Sequence, residues 1–306
     1  MKRIFLFLLL TVLGLFAGKA QTTAAPQAVE VTDNEPFKPL AKALLWRISG
    51  NGLPVASYLY GTIHMIDKKS FFLDDETKEA IKGSKEVIFE IDIEESMNPV
   101  ALFALMPKMM MKDKTLKDLL SEEDYKLVAA KLKDTGLPSF IMEKLKPMFV
   151  SMMLENPQGI EDGEEVDMVS YEMEIMEMAK EQQKPMSGLE TAMYQMSMFD
   201  SIPLEQQATM LVEGLKDTTS SNNLDGLAQI YTDRDINKMV DMMDEMSGDD
   251  FKEFLLVGRN RNWIPVMEGK MKEGSMFFAI GAGHLGASFG VINLLRKAGF
   301  QVEPIK

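Results

Sequence analysis

Residues 57–64, SYLYGTIH, indicate a strand that ends in a histidine motif, and residues 276–284, MFFAIGAGH, have the same form near the other end of the chain. Each runs from apolar and aromatic residues into the pattern Gly-x-x-His, and the two patterns hold both histidines of the 306-residue chain. Glycine permits a sharp turn and a close backbone approach, and histidine exchanges protons or binds metals near neutral pH. The pair predicts two strand ends that each present one imidazole to a shared cleft.

The segments around these motifs predict a sheet built from both ends of the chain. Asn51-Gly52 between two apolar runs is typical of a hairpin turn, and a predicted helix separates this hairpin from the next strand. The predicted strands cover residues 44–48, 55–60, 86–93, 276–280 and 300–305. We therefore expect an α/β fold with a central mixed sheet flanked by helices.

The middle of the chain, from about 97 to 250, predicts helices because its apolar residues recur at helical spacing. The predicted helices are near 97–111, 122–134, 139–154, 165–182, 189–200, 203–217 and 236–246, and one more follows at 250–268. Methionine is frequent, with 27 in the chain, and we expect it to fill an adaptable core, with a groove for apolar ligands as the alternative. We predict a single domain over 37–306 with a large Met-rich helical insertion at about 97–250.

The N-terminus predicts an export signal. Residues 1–20 combine a basic start, an apolar run and small residues at Gly18 and Ala20 before Gln21, which is the pattern of a secretory signal peptide. The apolar run is short for a membrane span, so we expect no stable span after cleavage. Residues 21–36 are polar and resemble a flexible leader. We expect the mature protein in the periplasm or outside the cell.

Composition narrows the range of functions. The formal net charge of −14 disfavours nucleic-acid binding, which needs a basic face. The absence of cysteine excludes disulfides and cysteine-based zinc sites. The glycine-rich run at 281–286 lacks the spacing of a phosphate-binding loop, so nucleotide binding is not favoured. We expect a peptide or a small molecule as the substrate.

Glu90 is a candidate partner of the two histidines. It lies in a run of Val, Ile and Phe, where an ionised carboxylate is costly unless it is paired, coordinated or at the rim of the sheet. Asp92, two residues on, points to the same face of a strand. In one interpretation, Glu86, Glu90 and Asp92 form the solvent-facing surface of a half-exposed strand. In the functional interpretation, His64, Glu90 and His284 form a three-ligand set for Zn²⁺, Mn²⁺ or a similar ion. Such an ion activates water; alternatively, one histidine acts as a general base without metal.

Two further stretches are distinctive. Glu190 follows Gly188-Leu189, and taken alone it is a first-turn acid of a helix. Arg259 and Arg261 are surface charges by default, although a functional arginine holds a substrate carboxylate or a developing oxyanion.

Taken in order, these segments resemble the TraB/GumN family, which includes the Tiki proteases. The motifs are LWRI (45–48), YLYGTIH (58–64), VIFEID (87–92), GLET (188–191), RN (259–260) and AIGAGHL (279–285). Together they span nearly the whole mature chain. Tyr194 is a departure, since the resemblance leads us to expect an acid before Gln195.

The resemblance implies an α/β fold with a helical insert and a hydrolase that depends on a divalent metal of the Mn, Co or Zn type. It implies catalytic roles for His64, Glu90, His284 and Arg259, with His64, Glu90 and His284 as metal ligands. The supporting residues are Asp92, Glu190, Asn260, Gly61 and Gly281. Two alternatives remain: a cell-envelope protein that binds haem or peptide without catalysis, and a metal-independent esterase-like hydrolase.

Overall fold

The computed structural model describes residues 37–96, 98–133, 138–154, 160–161, 164–165, 167–216, 220–246 and 252–306. The predicted signal peptide (1–20) and leader (21–36) lie outside these residues. The chain forms two compact units. We call one the sheet unit; it contains the described residues of Phe16–Glu90, Val169–Leu189 and Leu227–Lys306. The other, the helical unit, contains those of Ile91–Met168 and Glu190–Gly226. The single domain predicted for 37–306 stays a prediction.

The strands and their order confirm a mixed central sheet made from both ends of the chain. The strands are β1 (Leu45–Gly50), β2 (Ser57–Thr62), β3 (Ile66–Asp67), β4 (Glu86–Ile91), β5 (Ile160–Glu161), β6 (Glu164–Glu165), β7 (Met168–Val169), β8 (Met186–Glu190), β9 (Met276–Gly281) and β10 (Phe300–Ile305). Six of them form one sheet in the order β10-β1-β2-β9-β4-β8. Strand β1 pairs antiparallel with β10 and with β2, whereas β9 lies parallel between β2 and β4.

Helices make up most of the remaining described chain. They are α1 (Asp75–Gly83), α2 (Ile93–Ser96), α3 (Pro99–Met109), α4 (Leu116–Leu119), α5 (Glu122–Lys133), α6 (Ser139–Met142), α7 (Pro147–Leu154), α8 (Tyr171–Glu181), α9 (Ala192–Met198), α10 (Leu204–Lys216), α11 (Ser220–Thr232), α12 (Ile236–Met246), α13 (Gly258–Glu273) and α14 (Val291–Lys297). A π-helical turn, Glu253–Val257, precedes α13, and a short 3-10 turn, Ala282–His284, follows β9. Within the described ranges, no helix is long and apolar enough to cross a bilayer.

The hairpin between β1 and β2 forms where the sequence predicts it. Gly50, Asn51 and Gly52 have φ values of 79°, 47° and 74°, a left-handed region that Gly and Asn tolerate best. The amide of Leu53 donates to the carbonyl oxygen of Gly50 at 2.9 Å. The turn thus brings β2, which leads to the first histidine motif, back beside β1. The other edge of β2 pairs with β9, which leads to the second motif.

The centre of the sheet is buried on both faces. The first five residues of β9 are all buried, and Leu59 of β2 and Ile88 of β4 are fully inaccessible to solvent. Continuous apolar strands of this kind are typical of parallel strands covered on both sides. This burial specifies the register between β2 and β9, because a slip of one residue would exchange the faces of every side chain.

The helical unit has its own core, and methionine helps to fill it. Met109, Met111 and Met196 are at most 5 % exposed and pack in one cluster with Leu105 and Phe149. This is the adaptable packing role expected of methionine.

The structure differs from the predicted elements at several points. Residues 186–190 form β8, the edge strand of the sheet, although a helix was predicted from 189. Helix α11 was not predicted. Helix α13 continues to Glu273 through Pro265, beyond the predicted end at 268. Residues 186–190 pair with β4 in the sheet, so the partner strand rather than the local pattern determines their structure.

Candidate functional site

The two Gly-x-x-His motifs come together because their strands are neighbours. In the parallel register of β2 and β9, Thr62 lies opposite Gly281, so both strands end at the same edge of the sheet. The motif glycines serve close packing: a methyl group on Gly61 would lie 3.0 Å from the Ala282 side chain. Neither motif glycine has a positive φ, so the expectation that they supply a special turn geometry was wrong.

His284 is held in one orientation by neighbours of known hydrogen-bonding type. Its Nδ1 lies 2.6 Å from Oδ1 of Asn260, whose amide nitrogen donates to the carbonyl oxygens of His284 and Phe289. Its Nε2 lies 3.0 Å from Nη1 of Arg259, and arginine can only donate. His284 is therefore neutral, with its proton on Nδ1 and its Nε2 lone pair directed at the guanidinium.

Glu90 completes this cluster. One carboxylate oxygen forms an ion pair with Nη2 of Arg259, and the other accepts the amide of Gly281 at 2.8 Å. The same oxygen lies 3.8 Å from Nε2 of His284. The side chains of Arg259, Glu90 and His284 are 8 %, 15 % and 6 % exposed. The cluster is thus a largely buried carboxylate, cation and neutral imidazole in mutual contact.

Burial and charge set the protonation of the cluster. Burial alone would raise the pKa of Glu90, but Arg259, then His284 and His64, lower it below its usual range. Burial, followed by the positive charge of Arg259, lowers the pKa of His284 to about 3. Near neutral pH, Glu90 is therefore ionised and His284 is uncharged.

A π-helical turn and an aromatic wall position Arg259. In the turn before α13, the amide of Gly258 donates to the carbonyl oxygen of Glu253, five residues back. Nη1 of Arg259 also donates to the carbonyl oxygen of Leu255 at 3.1 Å. The indole of Trp263 lies 4.8 Å from the guanidinium carbon and 4.5 Å from the His284 ring centroid. Single π turns of this kind are frequent at functional sites.

His64 pairs with a residue that the sequence did not indicate. Nδ1 of His64 lies 3.0 Å from a carboxylate oxygen of Glu172, in the first turn of α8. The hydroxyl of Thr62 donates to the same oxygen at 2.7 Å, and the hydroxyl of Ser170 to the other at 3.1 Å. The His64 side chain is 56 % exposed, whereas that of Glu172 is only 16 % exposed. A shielded carboxylate thus holds an accessible imidazole.

The protonation of this pair is opposite to that of His284. The negative charge of Glu172 raises the pKa of His64 to about 9, against a smaller opposing effect of desolvation. Desolvation alone would raise the pKa of Glu172, but His64 and Thr62 hold it below its ordinary value. Glu90, Arg259 and His284 also act electrostatically on His64. All five groups therefore belong to one electrostatic system at the edge of the sheet.

A buried tyrosine supports the first motif. The hydroxyl of Tyr231, on α11, donates to the carbonyl oxygen of Gly61 at 2.9 Å, and this residue is fully buried. Tyr171, adjacent to Glu172, packs edge-on against Tyr231 with ring centroids 5.1 Å apart. The two helices that carry these tyrosines thus fix the strand end that leads to His64.

Two supporting candidates, Asp92 and Glu190, are assigned to the helical unit. Asp92 follows the end of β4, and its carbonyl oxygen accepts the amide of Ser96, the last residue of α2. Glu190 is the last residue of β8 rather than a first-turn helix acid. Asn260 and Gly281, in contrast, contact His284 and Glu90 directly.

The three predicted metal ligands are divided between two contacts: Glu90 lies beside His284, and His64 pairs with Glu172 instead. Glu90 and His284 supply an ionised carboxylate and a neutral imidazole, the protonation states that a metal needs. Arg259, however, contacts both of them, and His64 is bonded to Glu172. Among the described residues, no group of three or more histidine, aspartate or glutamate side chains converges on one point. In this arrangement the residues do not fit a resident metal with three protein ligands.

The fold and the site define a mixed α/β protein with paired imidazoles and carboxylates at the carboxyl ends of parallel strands, a usual place for ligands in such sheets. The model of the TraB/PrgY/gumN family matches residues 44–304, and the chain belongs to that family. It is also similar to Metalloprotease TIKI1 of Homo sapiens, with 22 % identity over 354 aligned residues that cover 97 % of this chain and 68 % of that protein. No solved structure matches the chain.

Proposed function

We propose that this protein is a hydrolase of peptide-like bonds, with its site formed by His64, Glu90, Glu172, Arg259 and His284. The observation that carries the proposal is the meeting of both Gly-x-x-His motifs at one sheet edge, beside a buried Glu90–Arg259 pair. Family membership and the similarity to a protein named as a metalloprotease support it.

The two imidazoles are suited to different tasks, because their pKa values are pushed apart. His64, with its pKa raised to about 9, carries a proton near neutral pH and can give it to the leaving nitrogen as a general acid. The ionised Glu90, a carboxylate with about four acceptor sites, can orient an attacking water molecule. The uncharged His284 accepts from Arg259 and holds the guanidinium in place. The fixed charge of Arg259 stabilises the negative charge that develops on the substrate carbonyl oxygen.

The test is cleavage of a mixture of short synthetic peptides, followed by mass spectrometry. We expect cleavage by the purified protein and its loss in His64→Ala and in His284→Ala. Arg259→Ala should abolish cleavage, whereas Arg261→Ala should not, because Arg261 is 66 % exposed and pairs with Glu253 at the surface. Cleavage that persists in both histidine variants would overturn the proposal.

We also propose that hydrolysis requires a divalent metal, because the similar human protein is named a metalloprotease. The same assay tests it after exhaustive chelation, with Mn²⁺, Co²⁺ or Zn²⁺ added back separately. Activity that disappears on chelation and returns with one ion supports the requirement. Activity that survives chelation selects the metal-independent hydrolase, and ligand or haem binding without turnover selects the binding protein.

We also propose that the protein is exported. The support is the basic start, apolar run and small-residue cleavage site of residues 1–20. Expression of the full chain in a bacterial host, followed by fractionation and N-terminal sequencing, should give a periplasmic or extracellular protein beginning near Gln21. Recovery of the uncleaved chain from the cytosol would refute the proposal.

A further inference from the structure

We infer that Glu172 is a positioning residue, which holds the proton of neutral His64 on Nδ1 and leaves Nε2 as the nitrogen that exchanges protons with substrate. The claim that Nε2 exchanges protons with substrate rests on the proposed hydrolase function. The claim that the ring proton lies on Nδ1 rests on geometry alone. The contact between Glu172 and His64 Nδ1 is 3.0 Å long. No motif of the sequence indicated Glu172.

The surroundings of Glu172 leave it only one role toward His64. An ionised carboxylate accepts hydrogen bonds and cannot donate them. Its two oxygens already accept from the hydroxyls of Thr62 and Ser170, which fixes the plane of the carboxylate. Its place in the first turn of α8 favours a negative charge there. A fixed acceptor opposite Nδ1 requires a hydrogen atom on Nδ1.

The consequence concerns the other side of the ring. The two imidazole nitrogens point in different directions, and the partner of one decides which tautomer is present. With Nδ1 committed to Glu172, Nε2 is directed away from that carboxylate. Free histidine in water prefers the tautomer with its proton on Nε2, so His64 is held in the less common form.

His284 has the same tautomer for a different reason. Its Nδ1 donates to Asn260, a neutral amide oxygen, rather than to a carboxylate. A charged partner of His64 and an uncharged partner of His284 thus produce the same tautomer with two different affinities for protons. The chain offers an internal comparison, because these are its two histidines.

A purely structural role for Glu172 makes a different prediction. Glu172 also binds Thr62, at the end of β2, so its removal is expected to affect stability in either case. Since His64 is 56 % exposed, its ring orientation contributes little to folding. If Glu172 only stabilised the fold, removal of its carboxylate would leave the tautomer of His64 unchanged.

The experiment is nitrogen NMR of the full-length protein with ¹⁵N-labelled histidine, recorded at a pH well above both ring pKa values. Only two imidazoles contribute signals, and His284→Ala assigns them. We expect both rings of the unmodified protein to carry their proton on Nδ1. A His64 ring with its proton on Nε2 would overturn the inference without any variant.

The variant Glu172→Ala should shift His64 toward the Nε2–H tautomer and leave the His284 signals unchanged. Glu174→Ala, an exposed acid two residues along the same helix, should change neither ring. If Glu172→Ala does not fold, as judged by circular dichroism, the measurement on the unmodified protein still decides. An unchanged His64 tautomer in folded Glu172→Ala would overturn the inference.

Peptide cleavage provides the second readout. We expect Glu172→Ala to lower kcat on the order of 10⁴-fold with little change in KM, as does loss of the orienting carboxylate in a Ser-His-Asp triad. An unchanged kcat would overturn the catalytic part of the inference. Absence of cleavage by the unmodified protein, together with an Nδ1–H ring at His64, would refute the proposed function but support the placement of His64 by Glu172.

Discussion

Replacement of Arg259 by methionine tests the charge pair at the centre of the site. Arg259 and Glu90 are 8 % and 15 % exposed, so solvent screens their interaction little. Removal of one partner of a buried pair leaves the other charge uncompensated and typically costs about 3–5 kcal/mol. The volume of methionine is close enough to that of arginine to keep the cavity term small. We therefore expect Arg259→Met to lower the free energy of unfolding by about 3–5 kcal/mol.

This loss is large relative to the total free energy of unfolding. Folded domains are stable by about 5–15 kcal/mol, so Arg259→Met should remove a large fraction of the stability. The matched control is Arg261→Met on the same helix. Arg261 pairs with Glu253 at 3.2 Å, but the two side chains are 66 % and 55 % exposed, and such surface pairs contribute about 0–1 kcal/mol.

The assay is urea denaturation followed by circular dichroism and by tryptophan fluorescence, to which Trp263, 4.8 Å from the guanidinium carbon, contributes. The double variant Glu90→Gln/Arg259→Met should be less destabilised than the sum of its single variants, because no unpaired charge remains. The cost of Arg259→Met should also shrink as the pH is lowered, since a Glu90 carboxylate without its cation takes up a proton. If Arg259→Met costs no more than Arg261→Met, or if the cycle is additive, the buried-pair argument is refuted.

Three further predictions address the motifs. In a proton NMR titration, His64 should titrate near pH 9 and His284 near pH 3. The raised pKa of His64 adds stability that is complete below its unfolded pKa of about 6.5 and is lost as the pH rises through about 9. The lowered pKa of His284 has the opposite effect, because stability is lost as the pH falls from about 6.5 toward 3. Similar titrations for the two rings would contradict the assignment. Gly61→Ala should destabilise the protein by about 1–3 kcal/mol, since its methyl group would lie 3.0 Å from a neighbouring side chain, whereas Gly269→Ala, with open space around it in a helix, should stabilise by up to about 1 kcal/mol; thermal unfolding of both checks the opposite signs. Tyr231→Phe removes the donor to the Gly61 carbonyl oxygen and should cost about 1–3 kcal/mol by urea denaturation, and an unchanged midpoint would show that this bond is unimportant.

The sequence predicts the frame of the site because strand pairing follows from patterns within short segments. Apolar runs that end in Gly-x-x-His indicate strand ends, and a carboxylate inside the apolar run of β4 indicates that Glu90 has a partner. Parallel pairing of β2, β9 and β4 then places all three at one edge. The expectation that an arginine in the 258–263 stretch acts at this edge came from family resemblance, since local pattern alone marks Arg259 as a surface charge.

Glu172 escaped prediction for a physical reason. Ser170 followed by an acid at the start of a helix is the ordinary pattern of a capped N-terminus, and Ser170 does accept the amide of Met173. Nothing in that pattern shows that the same acid also reaches Thr62 and His64, more than 100 residues away in the chain. Long-range pairing of this kind depends on the packing of α8 and α11 through their buried tyrosines, which local periodicity does not encode.

The two Gly-x-x-His motifs present imidazoles whose pKa values are shifted in opposite directions, and the neighbouring side chains account for the difference. Each Gly-x-x-His segment delivers a ring to the same sheet edge, yet His64 meets a carboxylate while His284 meets a guanidinium. The first ring binds protons more tightly than free histidine, and the second does so far more weakly. Exchange of these two environments would exchange the roles, because the motif itself is the same at both sites. In the proposed hydrolase, Glu172 and Arg259 therefore specify the reaction as much as the histidines do. Relatives with both motifs but without these two partners need not share the chemistry proposed for this protein.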